Sequence, residues 1–246
     1  VDRLEHNLRD VRARIAAAAR AAGRDPAEVR LLAVSKTWPA ADVRALAALG
    51  QREFAENRVQ ELVGKVAELA ADAPAAPADT AVSALRWHLV GQLQRNKAAT
   101  VARLGAVVHS VDRHPLVTAL DRAAQQAQRP LDVLVQVDLG GPPGQDGTRG
   151  GAPPGDVPAL ADAVAAAEGL RLLGLMAVAP RGEDPAPAFA RLAEVAARVR
   201  ADHPGSRELS AGMSADLEAA VTAGATVVRV GTALFGARAL SSEPDV

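Results

Sequence analysis

The chain has 246 residues, a formal net charge of −1 and no cysteine. The near-neutral balance gives no broad field to draw nucleic acid or anionic lipid, and the missing thiols exclude disulfides, thiolate metal sites and cysteine nucleophiles. The five histidines, His6, His88, His109, His114 and His203, form no HExxH pair, so zinc is not expected. The N-terminal stretch from Asp2 to Arg14 is charged and has no apolar signal core. No apolar run approaches the ~20 residues of a membrane span. The expectation is a soluble, cytoplasmic protein without membrane or nucleic-acid partners. Its length fits one large α/β domain, taken as residues 1–246.

Leu4, Leu8, Val11, Ile15 and Ala18 recur at helical spacing and predict a helix to about Ala22, ended by Gly23 and Pro26. Leu31–Ser35 is a short continuous apolar run, the signature of a buried parallel strand. A helix follows from about Pro39 to Leu49. The cycle then repeats along the chain. Strands are predicted at Arg52–Glu56, Arg86–Val90, Ala106–Val111, Leu131–Leu139, Leu170–Ala177, Glu208–Ser210 and Thr226–Val230. Helices are predicted at Val59–Ala71, Leu93–Leu104, Pro115–Gln128, Pro158–Glu168, Pro187–Ala201, Ala215–Ala223 and Ala233–Leu240. Gly140–Gly155, rich in Gly and Pro, reads as a mobile loop. Eight strands, each followed by a helical stretch, suggest a (β/α)8 TIM-type barrel with an extra N-terminal helix; a doubly wound open sheet is the alternative.

In such barrels functional residues sit at the C-terminal strand ends. Lys36 follows the first strand, where burial would favour the neutral amine that forms imines; a snorkelling or ion-paired lysine is the plainer reading. The chain has only two other lysines, Lys65 and Lys97, and otherwise uses arginine, which cannot do amine chemistry. At the second strand end both Glu56 and Asn57 can reach the mouth, or can cap the next helix. His88, inside the third strand, reads as a core histidine. His109 and Asp112 flank the fourth strand end, and Asp138 lies near the fifth.

The last two ends carry more. Ser210-Ala211-Gly212-Met213-Ser214 offers hydroxyls and free backbone N–H groups. Arg229-Val230-Gly231-Thr232 adds a glycine for close approach, a second hydroxyl and an arginine needing a buried acceptor. Together these resemble the phosphate site that barrels build after strands seven and eight, unless both are ordinary glycine turns. An imine-forming lysine, a phosphate cradle and an arginine for a pyridine nitrogen together describe pyridoxal 5′-phosphate binding.

The segments LLAVSKTWP (31–39), FAENRVQE (54–61), WHLVGQLQRNK (87–97), HSVDR (109–113), GLMAV (174–178), LSAGMS (209–214) and VRVGTALFGAR (228–238) carry a resemblance. In this order they resemble the pyridoxal phosphate homeostasis protein family, whose barrel is like the N-terminal domain of alanine racemases. The resemblance implies that Lys36 forms the Schiff base and that Ser210, Gly231 and Thr232 contact phosphate, joined by Met213 and Ser214. It implies Arg229 beside the pyridine nitrogen and Asn57 close to the cofactor. Departures are Trp38 where the family usually has a second lysine, and Ala55 and Arg58 where it usually has Gly and Tyr. Thr148-Arg149-Gly150 replaces a usual lysine-glycine pair.

An arginine at the pyridine nitrogen makes the ring a weaker electron sink. The resembled racemases add a tyrosine base from a second domain, and this chain contains no tyrosine. The expectation is a non-catalytic carrier acting in cofactor homeostasis, as a monomer or weak dimer, delivering to pyridoxal phosphate-dependent apo-enzymes. An amino-acid racemase is the alternative, and a Schiff-base aldolase a third reading.

Overall fold

The computed structural model describes residues 2–71, 82, 84–140 and 150–236. The eight apolar runs pair in sequence order and close into a parallel barrel. Its strands are β1 (Arg30–Val34), β2 (Glu53–Glu56), β3 (Arg86–Leu89), β4 (Val107–Val111), β5 (Leu131–Gln136), β6 (Leu170–Met176), β7 (Glu208–Ser210) and β8 (Val227–Val230). Closure is made by β1 against β8, with Arg30 opposite Val227 and Ala33 opposite Val230. The open-sheet alternative is thereby excluded. The helices are α1 (Asp2–Ala21), α2 (Ala40–Ala48), α3 (Val59–Ala71), α4 (Ala98–Leu104) and α5 (His114–Gln126), then α6 (Val157–Ala165), α7 (Pro185–Asp202), α8 (Leu217–Thr222) and α9 (Thr232–Phe235). No helix among the described residues is long and apolar enough to cross a membrane.

Two local expectations are corrected. The helix predicted from Leu93 starts later, as a 3-10 turn at Arg95–Lys97 leading into α4. The Gly/Pro-rich segment after β5 is not loop throughout. Ala152 pairs in parallel with Val137, donating its N–H to Gln136 O at 2.8 Å and accepting from Asp138 N at 2.9 Å. Residues 141–149 of that segment and the predicted helix beyond Gly236 lie outside the described residues.

Alternation along each strand sorts side chains between the barrel interior and the helix layer. Leu32, Val34, Ala55 and Val227 form an interior cluster separate from the larger surrounding core. The interior floor is charged. Arg30 bonds Glu53 and Glu208, both at 2.6 Å, while Arg86 and Arg171 bond Asp132 at 2.7 and 2.6 Å. This network ties together the residues at the N-terminal strand ends, leaving Glu208 Oε2 without a hydrogen-bond partner among the described residues, and plugs the barrel from below. The mouth is left open at the other end.

The extra helix α1 has a job. Leu4, Leu8, Val11, Ile15 and Ala18 bury one face, which joins a cluster with Leu217, Val221, Leu234 and Phe235. Its polar side then reaches the last two strand-end loops. Asn7 Nδ2 donates to Leu234 O at 2.9 Å, and Arg14 Nη2 donates to Ser214 O at 3.2 Å while pairing with Glu218 at 2.8 Å.

Candidate functional site

The C-terminal strand ends enclose a cavity of about 600 Å³. Lys36, Asn57, Met213, Ser214, Arg229, Gly231 and Thr232 all line it. Of the expected site residues, Ser210 alone is not in the wall. It lies one level deeper, fully buried, and accepts Arg229 Nη1 at 2.8 Å on its hydroxyl. It is the last residue of β7 and faces the barrel axis, whereas Met213 and Ser214 follow the strand and reach its rim.

Lys36 is exposed, against the expectation of a buried amine. The reason is its place beyond the end of β1: Ser35 is the last buried residue, and Lys36 projects into the open mouth. The following Thr37 adopts φ 67°, a left-handed conformation rare for a β-branched residue. Its hydroxyl donates to Lys36 O at 2.6 Å, and its N–H donates to Glu61 Oε2 at 3.3 Å. Trp38 forms the adjoining wall, stacked on Phe235 with centroids 5.7 Å apart, with the Arg3 guanidinium 5.8 Å from its ring.

Glu56 does not reach the mouth. Ala55 points into the barrel, so alternation sends Glu56 outward, under α3. There it is fully buried. Its Oε1 accepts the Ser35 hydroxyl at 2.6 Å and the Lys65 ammonium, and Lys65 Nζ also donates to Ser35 O at 2.6 Å. Burial raises the Glu56 carboxyl to about 7, with Lys65 and Ser35 opposing the rise. Lys65 is thus a buried brace behind the Lys36 loop. Asn57, the next residue, lies against the mouth, and a side chain on Gly91 would sit 2.0 Å from Asn57 O. Only glycine lets the two loops pass.

The two last loops are joined to one another. Ser214 Oγ accepts the Ala233 N–H at 3.3 Å, and Asp216 Oδ1 accepts the Met213 N–H at 2.6 Å. A Cβ on Gly231 would lie 3.1 Å from Val34 O, so β8 passes close to β1 here. Gly212 takes φ +87°, and a Cβ there would press on Ala220 at 2.6 Å.

Arg229 is 4 % exposed. Nη1 donates to Ser210 O at 2.6 Å and to Ser210 Oγ, and Nη2 donates to Ala177 O at 2.7 Å. No carboxylate among the described residues lies within salt-bridge distance of it. Burial therefore lowers its pKa to about 10, with Asp216 opposing. Of its five N–H groups, the Nε–H and one Nη2–H are left for an acceptor in the cavity.

Gln136, Gln92 and Arg181 also line the mouth. Arg181 is not among the expected residues; it lies past the apolar end of β6, beyond the strand end itself. Asp138 does not line the cavity, and its Oδ1 accepts the Gly140 N–H at 2.9 Å. His88 and His109 lie below the mouth and are buried.

A closed parallel barrel with a lysine after β1, a two-loop cradle after β7 and β8, and a buried arginine between them defines the alanine-racemase N-terminal class. The family model described as alanine racemase, N-terminal domain, matches residues 1–239. A pyridoxal phosphate homeostasis protein of Mycobacterium tuberculosis is 48 % identical over 249 residues, covering 97 % of this chain and 94 % of that protein. The Escherichia coli protein of the same name is 40 % identical over 98 % of this chain and 99 % of its own. Among solved structures, PipY of Synechococcus elongatus with PLP bound is 36 % identical, with a TM-score of 0.78, covering 95 % of this chain and 100 % of PipY. The chain belongs to the pyridoxal phosphate homeostasis protein family.

Proposed function

We propose that this chain binds pyridoxal 5′-phosphate covalently through Lys36 and acts in cofactor homeostasis rather than in turnover. One observation carries the reading: a single cavity is lined by the only amine at a strand end, the paired Ser214 and Gly231–Thr232 loops, and a buried arginine with two donors to spare. These residues fit the group. The Lys36 amine would hold the aldehyde carbon as an imine, with the aldehyde oxygen leaving as water. The Ser214 and Thr232 hydroxyls, with backbone at Gly231, take the phosphate; the Met213 N–H joins them only on leaving Asp216, which it bonds in this structure. Arg229 offers N–H donors to the ring nitrogen, and Asn57 lines the cavity beside the ring. Ser210 belongs to this set through Arg229, whose guanidinium it holds. When bound, the cofactor supplies an electron sink for amino-acid chemistry. The chain at residues 1–246 acts as one binding domain.

The mouth supports holding over conversion. Racemisation or transamination needs a positioned acid or base besides the lysine. Among the described residues lining the cavity there is no carboxylate, imidazole or phenol. The curated relatives carry homeostasis, not a reaction, in their names. A protein that gives its cofactor to apo-enzymes also needs an approachable linkage, and Lys36 is exposed.

Borohydride reduction of the loaded protein followed by peptide mapping tests this. The adduct is expected on Lys36, and Lys36→Ala should lose both the adduct and the yellow absorption band. An adduct mapped to Lys65 or Lys97, or a band unchanged in Lys36→Ala, overturns the assignment. Exchange of the alanine Cα proton in heavy water above that of free cofactor would overturn the non-catalytic reading.

A further inference from the structure

Below Arg229 the barrel interior holds a file of polar side chains. Ser210 Oγ lies 3.0 Å from His109 Nδ1, and His109 Nε2 lies 2.9 Å from His88 Nδ1. His88 Nε2 faces the Glu53 carboxylate at 3.9 Å, too far for a hydrogen bond, and has no partner among the described residues. Glu53 belongs to the charged floor. The file therefore spans the barrel from mouth to floor.

Its direction can be read from valence. Arg229 only donates, so Ser210 Oγ accepts at its upper side. Two arrangements remain for the rest. In one, the Ser210 hydroxyl donates to His109 Nδ1, His109 Nε2–H donates to His88 Nδ1, and His88 Nε2–H points at the Glu53 carboxylate. In the reverse, His109 Nδ1–H donates to Ser210 and His88 Nδ1–H donates to His109. The hydroxyl proton then has no acceptor among the described residues, and a bare His88 lone pair faces a carboxylate. Both faults select the first arrangement. Burial and the nearby Arg86 and Arg30 hold the His88 pKa well below the ordinary value. Burial, His88 and Arg229 do the same for His109. Both rings are neutral, as the file requires.

We propose that His109 and His88, acting through Ser210, are positioning residues for Arg229: a one-way file of hydrogen bonds that fixes the guanidinium and keeps its charge. The proposal rests on the reading of the mouth as the cofactor site. Every donor in the file already points toward the floor. The lower side of Arg229 therefore meets only acceptors, and no proton can climb the file to a ring nitrogen in the mouth. A bound pyridine would place its single lone pair on one of the two remaining guanidinium N–H groups and stay unprotonated.

The test uses the whole chain labelled with 15N-histidine, first without cofactor. Two-bond proton–nitrogen correlation distinguishes the tautomers, and His88→Gln and His109→Gln assign the signals. Both residues are expected as neutral Nε2–H forms at pH 7. An Nδ1–H tautomer or an imidazolium at either position overturns the file. His109→Leu is then loaded with pyridoxal 5′-phosphate. It should retain the cofactor about tenfold less tightly than wild type, the loss of roughly one buried hydrogen bond. The pH profile of its absorption band should also shift. Wild-type affinity with an unshifted profile overturns the positioning role while the Lys36 assignment stands. Absence of a Lys36 adduct in the wild type overturns the reading of the mouth, and the tautomers still decide the file. Should His109→Leu not fold, the tautomers of the unmodified chain decide alone.

Discussion

Lys65→Met isolates the buried pair behind the Lys36 loop. The substitution removes the ammonium that bonds both Glu56 and the Ser35 carbonyl, and keeps most of the volume. The loss has two parts. The Ser35 bond contributes about 1 kcal/mol at every pH. The second part depends on the charge of Glu56, whose carboxyl is raised from 4.5 to about 7 in the folded protein. A raised carboxyl works against the fold as pH increases: its penalty is absent below 4.5, grows up to about 7, and is then constant. Without Lys65 the carboxylate is harder still to ionise, so the penalty keeps growing above pH 7, by about 1.4 kcal/mol per unit. At pH 5.5 wild type and variant both hold Glu56 protonated, and the second part vanishes. The expected destabilisation is thus about 1 kcal/mol at pH 5.5 and about 2–3 kcal/mol at pH 8. Urea unfolding followed by circular dichroism at the two pH values reads it directly. A loss that is the same at both would refute the reasoning, because Glu56 would then titrate without regard to Lys65. Glu56→Gln in the same background should remove the pH dependence.

Two further outcomes follow from the mouth. Gly91→Ala places a methyl 2.0 Å from Asn57 O, so the β3 loop or the Asn57 loop must shift; we expect about 1–3 kcal/mol of destabilisation and weaker cofactor retention, and an unaltered variant would show that the loops have slack. Trp38 lines the cavity while Trp87 packs on Phe54 elsewhere, so loading should quench the tryptophan emission and Trp38→Phe should abolish most of the quench. Quenching that survives in Trp38→Phe would place the chromophore away from the mouth.

The barrel was legible because each β-strand is a short apolar run with its own helix behind it. Lys36 was legible for a related reason: a polar residue ending LLAV must leave the strand, and in this topology it leaves toward the mouth. Side-chain parity was not legible at the strand ends. Glu56 and Asn57 are neighbours at one strand end, yet alternation sends one under α3 and the other to the cavity. Ser210 and Ser214 both follow from LSAGMS, but one ends β7 and supports Arg229 while the other begins the cradle. The His88–His109 contact could not be read from spacing, since it depends on how β3 and β4 are staggered: His88 pairs with Val107, not with His109. Arg181 stands past a strand end, where no periodicity marks it.

The brace made by α1 has a consequence for synthesis. Lys36 emerges from the ribosome well before the loops carrying Ser214 and Thr232. Asn7 and Arg14, made before Lys36, wait for carbonyls that do not yet exist. Until β8 docks beside β1, a nascent chain has Lys36 but neither the assembled Ser214 and Thr232 loops nor Arg229. If the cofactor is held as proposed, its firm capture would be tied to barrel closure, and a retained cofactor would report that a chain has finished folding.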